Sequence, residues 1–101
     1  MVLALNSKGS NPIQFYTGGT RQAQIAHTAS AVNFLQLTGS IATSAPILSA
    51  QGTDTNIDLA LTPKGTGLVR FGTYVAGALT ATGYINIKAA DGTTYKVLVS
   101  T

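Results

Sequence analysis

Short apolar or alternating runs recur along this chain, each closed off by Gly, Pro or Asp-Gly. An amphipathic helix needs apolar residues every three to four positions over roughly ten or more, whereas a half-buried strand alternates over a handful. Only the second pattern recurs. The runs fall at 12–17, 21–26, 32–38, 46–50, 56–61, 67–71, 83–89 and 94–99, so the chain is expected to be all-β, made of short strands and hairpins. The one stretch rich in helix-tolerant Ala and Gln, 21–37, is interrupted by Thr28, Ser30, Val32 and Asn33 and lacks a capping box.

Three hairpins can be argued from register. Across Gly18-Gly19-Thr20, a three-residue loop sets Ile13 opposite Ile25 and Phe15 opposite Ala23, with Gln14, Gln22 and Gln24 turned away. A two-residue loop would set Phe15 against Gln22 and spoil the apolar face, because a one-residue slip exchanges the two faces of a strand. Across 62–67, pairing about Lys64 sets Ile57 against Phe71 and Leu59 against Val69, with Asp58 opposite Arg70 on the other face. There Pro63 presets the turn, and Gly65 and Gly67 allow a positive φ. Across Ala90-Asp91-Gly92, a type I turn with Gly92 left-handed pairs Ile87 with Tyr95 and Ile85 with Val97, leaving Lys88, Lys96 and Leu98 on the far face. The Ala- and Thr-rich segments 38–46 and 73–82 lie between the hairpins. No exact repeat is evident, although the first two hairpins share a plan, which favours a modular rod. Residues 1–82 are read as a shaft-like segment and 83–101 as a C-terminal hairpin.

Composition narrows the function. Charged residues make up 9% of the chain, against roughly 25% in an average soluble domain. Neutral surfaces of that kind favour contact with a partner. The net charge of +3 comes from Lys8, Arg21, Lys64, Arg70, Lys88 and Lys96 against Asp54, Asp58 and Asp91. These charges are scattered, so no basic stripe suited to nucleic acid is expected. The absence of Cys excludes disulfides, thiolate metal sites and thiol nucleophiles. No apolar run approaches the roughly 20 residues of a membrane helix, so no membrane insertion is expected.

Candidate chemistry is thin. His27 is the sole histidine, and nothing in the sequence sets a serine and an acid beside it. Asp54 and Asp58 could be spaced as a glycosidase pair, yet Asp54 sits in an Asx-turn context and Asp58 has Arg70 as its expected partner. Asp54, Asn56 and Asp58 have the one-three-five spacing of a calcium loop but lack its later Gly and Glu. Lys64 precedes Gly65 and Gly67 instead of following them, so a phosphate loop is excluded. Tyr16, Tyr74, Tyr84 and Tyr95 could stack on sugars, although aromatic residues on strands more often pack. No catalytic, cofactor-binding or metal-binding residue is therefore assigned, and the chain is expected not to be an enzyme.

The segment Pro12-Ile13-Gln14-Phe15-Tyr16-Thr17-Gly18-Gly19-Thr20-Arg21-Gln22-Ala23-Gln24-Ile25 resembles runs in the shafts of bacteriophage tail fibres and tail spikes. The run Gly52-Thr53-Asp54-Thr55-Asn56-Ile57-Asp58, followed by Pro63-Lys64-Gly65-Thr66-Gly67, is the most specific part of the resemblance. Gly83-Tyr84-Ile85-Asn86-Ile87-Lys88 with Asp91-Gly92-Thr93 resembles the terminal hairpin of such proteins. The resemblance implies a virion structural protein, without catalysis or cofactor. It implies a homotrimer of intertwined or closely packed strands, of the triple β-helix or β-prism kind, with other virion proteins as partners. A receptor- or glycan-binding tip is the second reading and a depolymerase fragment a third.

Overall fold

A computed structural model describes all residues, 1–101. The protein is all-β, with six strands and no helix. The strands form three two-stranded antiparallel sheets: β1 (Ile13–Thr17) with β2 (Thr20–Ile25), β3 (Asn33–Thr38) with β4 (Ile47–Gly52), and β5 (Gly83–Lys88) with β6 (Thr94–Val99). The chain forms two compact units, Met1–Leu59 with the first two sheets and Ala60–Thr101 with the third.

In the first hairpin Ile13 pairs with Ile25 and Phe15 with Ala23, as the apolar pattern requires. The turn, however, is the two-residue Gly18-Gly19, with Thr17 paired to Thr20. Both glycines take a positive φ, 57° and 75°, the requirement of a type I′ turn. The two demands are reconciled by a bulge. Tyr16 pairs with Arg21 and Phe15 with Ala23, so Gln22 is the extra residue. Turn chemistry thus chose the loop length, and the bulge restored the face.

The second sheet joins two runs for which the sequence offered no pairing. Leu35 faces Ala50 and Leu37 faces Leu48, across the eight-residue connection 39–46. Ser40 Oγ donates to the Ser44 carbonyl at 2.9 Å within that connection. At the open end, Gly52 has a φ of 151°. A Cβ there would overlap Asn33 Oδ1 and sit 2.6 Å from both Asn33 Cα and the Val32 carbonyl oxygen.

The third hairpin adopts its expected register, Ile87 with Tyr95 and Ile85 with Val97. Its turn is closed by Gly92 N–H donating to the Ala89 carbonyl and Ala89 N–H to the Thr93 carbonyl, both at 2.9 Å. Gly92 has a φ of 88°.

The expected hairpin over 56–71 is corrected. Neither 56–61 nor 67–71 is a strand. The turn itself forms, with Gly67 N–H donating to the Lys64 carbonyl at 3.0 Å and Gly65 at a φ of 61°. A ladder continued outward from that turn would set Phe71 opposite Ala60 and Arg70 opposite Leu61. The apolar pattern needs Phe71 opposite Ile57, which is a register of the other parity. Turn and pattern therefore disagree, and no bulge resolves them as Gln22 does in the first hairpin.

No residue is buried, apolar or polar. The accessible area is 9627 Å². Two independently compact units of this combined mass would expose only about 6,400 Å². Hydrophobic burial is the main driving force of folding, roughly 25 cal/mol per Å², and this chain on its own withholds only about a third of its unfolded-chain surface from water.

Candidate functional site

Because there is no interior, the chemically informative surfaces are the faces of the three hairpins. On the first, Ile13, Phe15, Ala23 and Ile25 share one face. On the second, Leu35, Leu37, Leu48 and Ala50 do so, with Leu37 83% exposed. On the third, Ile85, Ile87, Tyr95, Val97 and Val99 form the apolar face. None of these faces carries a charged residue, and a monomer rarely leaves apolar faces of this kind to water.

The opposite faces are more polar, although that of the second sheet carries Phe34 and Ile47 and that of the third Tyr84 and Leu98. The Gln14 and Gln24 amides meet at 3.0 Å. The Arg21 guanidinium lies 6.0 Å from the Tyr16 ring centre, and the Lys96 ammonium 4.9 Å from that of Tyr84. Cations over those rings occupy the surface on which a sugar would stack. Tyr95 lies on the apolar face opposite Ile87, and Tyr74, in no strand, is the most exposed of the four.

Asp54 and Asp91 have structural duties. Asp54 Oδ2 accepts a hydrogen bond from Asn33 Nδ2 at 2.8 Å, and its N–H donates to Asn33 Oδ1 at 3.5 Å. With Thr53 N–H donating to the Val32 carbonyl at 3.3 Å, this clamp ties the end of β4 to the start of β3. Asp91 Oδ1 accepts from Thr93 N–H at 2.8 Å. That bond holds the Asp91 carboxyl below its ordinary range. An open polar recess of about 510 Å³ lies along 50–58, lined by Gln51, Asp54, Asn56 and Asp58 among others. His27 stands exposed between β2 and β3. Nowhere do three His or acidic side chains gather as a metal site would need, and no helix is long and apolar enough to cross a membrane.

The turn context of Asp54 is legible in the sequence, but its partner Asn33, twenty-one positions away in the chain, is not. The signal that could have found it is the pairing of 33–38 with 47–52, which brings Asn33 opposite Gly52 and beside the Asp54 turn.

Comparison of the chain with protein-family models, with curated proteins and with solved structures finds no match to any of them.

Proposed function

We propose that this chain is a self-associating structural module of a bacteriophage virion appendage, a tail fibre or spike. In it three copies cover one another's apolar faces and form a rigid support for adsorption to the host. The observation that carries the self-association is the absence of any buried side chain in a chain that nonetheless forms three well-registered hairpins. Isolated two-stranded hairpins are marginal in water, and they need further strands or a packed face for stability. An excess of about 3,200 Å² over two compact units lies within the range that permanent interfaces bury, roughly 2,000–5,000 Å². The near absence of charge fits a partner as neutral as the chain itself, and threefold closure would cover faces and strand edges together. The virion assignment is supported by the resemblance of 12–25, 52–67 and 83–93 to tail-fibre and tail-spike segments. It implies a mechanical role without catalysis.

The test is molar mass by light scattering after size exclusion. A mass of three chains is expected. A folded monomer, with the chemical-shift dispersion of a unique structure, would refute the proposal.

A further inference from the structure

Two turns in this chain are built alike. Lys8-Gly9-Ser10-Asn11 has Gly9 at a φ of 64° and Asn11 N–H donating to the Lys8 carbonyl at 3.5 Å. Lys64-Gly65-Thr66-Gly67 has Gly65 at 61° and Gly67 N–H donating to the Lys64 carbonyl at 3.0 Å. Sliding the sequence by the interval between Lys8 and Lys64 superposes more than the turns. Leu3, Ala4, Leu5, Lys8, Gly9, Phe15 and Thr17 meet Leu59, Ala60, Leu61, Lys64, Gly65, Phe71 and Thr73. Ser10 meets Thr66 and Ile13 meets Val69. The division of the chain into two units falls between Leu59 and Ala60, within the second occurrence of this motif. The chain therefore carries one motif twice, Leu-Ala-Leu-x-x-Lys-Gly-[Ser/Thr]-x-x-[Ile/Val]-x-Phe-x-Thr, once near the start of the first unit and once across the boundary into the second.

The two copies differ in the residues that come after the motif. In the first, residues 13–17 are β1, and Gly18-Gly19 turns the chain back so that β2 completes the sheet. In the second, the positions after Thr73 are Tyr74 and Val75. A type I′ turn needs a positive φ at both, which a tyrosine resists and a β-branched valine resists more. Only 74–82 separate the motif from β5, where 18–32 separate its first occurrence from β3. The equivalent of β1 is left without its hairpin partner. Its exposure reflects this, since Phe71 is 86% exposed where Phe15 is 46%.

We infer that 68–73 is a strand in waiting, completed into a sheet by a strand from a second copy of this chain. This inference rests on the self-association proposed above and adds the segment that mediates it. A second copy suits the need because every sheet in it has two strands, so each of its strands offers a free edge. The unsatisfied area of the chain is of the size that a permanent interface between copies buries.

Hydrogen exchange on the full chain tests the pairing, at a concentration where light scattering has fixed the mass. In the assembled protein alternate amides within 69–73, those turned toward the partner strand, should exchange roughly 100-fold or more slowly than an unstructured chain, as ladder amides do. An assembled mass with unprotected amides at 69–73 overturns the strand pairing and leaves self-association intact. A monomeric mass with protected amides overturns the second copy as the partner, and self-association with it. A monomeric mass with unprotected amides overturns both.

Discussion

Gly52→Ala is expected to destabilise the Met1–Leu59 unit by about 3 kcal/mol. A φ of 151° belongs to glycine, and placing a Cβ there costs of order 1–3 kcal/mol in backbone strain alone. The new methyl would also sit 2.6 Å from two backbone atoms, Asn33 Cα and the Val32 carbonyl oxygen. Ordinary contact needs most of an ångström more, so the start of β3 must move away from the end of β4. That movement strains the Thr53–Val32 hydrogen bond and the Asn33–Asp54 clamp, each worth about 1 kcal/mol. Thermal unfolding at fixed chain concentration reads the effect, and about 10 °C or more of lost Tm is expected for a unit of this size. Gly39→Ala is the control, because its Cβ would meet nothing within 4 Å. Truncating Asn33 to Ala alongside Gly52→Ala should not rescue the variant, since two of the three crowded atoms are backbone. A Tm unchanged by Gly52→Ala, or restored by the Asn33 truncation, would refute the reasoning.

The turns give two further expected outcomes. Gly19→Val forces a β-branched residue to a φ of 75° and should cost about 1–2 kcal/mol. Denaturant unfolding should show a lower midpoint, with Gly77→Ala unchanged because that position is open. The Asp91 carboxyl is held below its ordinary value of 3.8 by the Thr93 N–H. Its contribution to the terminal turn is therefore present above that value and lost as pH falls through the lower folded one. An NMR titration should show the Thr93 amide shifting in that acid range and the shift vanishing in Asp91→Ala. Titration of that amide at or above 3.8 would contradict the assignment.

Two of the three expected hairpins were legible because face pattern and turn chemistry agreed, or could be made to agree. At 83–99 both pointed to one register. At 13–25 the glycine pair fixed a two-residue turn, and the bulge at Gln22 kept Ile13 and Phe15 on the face that the pattern assigns them. At 56–71 the alternation was as clear, yet the Lys64–Gly67 turn sets the opposite parity, and alternation alone cannot form a ladder. The pairing of 33–38 with 47–52 is not legible in the sequence because its connection is long and carries no tight-turn signature. The clamp between Asn33 and Asp54 is a product of that pairing and is no more legible than it. The duplicated motif is masked in the sequence because the alternation aligns Ile13 with Ile57, whereas the turns align Ile13 with Val69.

A chain in which no side chain is buried has an unusual calorimetric character. The heat-capacity increment of unfolding arises from apolar surface released to water. A separated chain of this kind has little such surface to release, so its stability curve would be shallow and its response to denaturant weak. The curvature and steepness expected of a folded protein would enter only when apolar faces are brought together. Midpoint and slope would then depend on the concentration of chains as much as on their sequence.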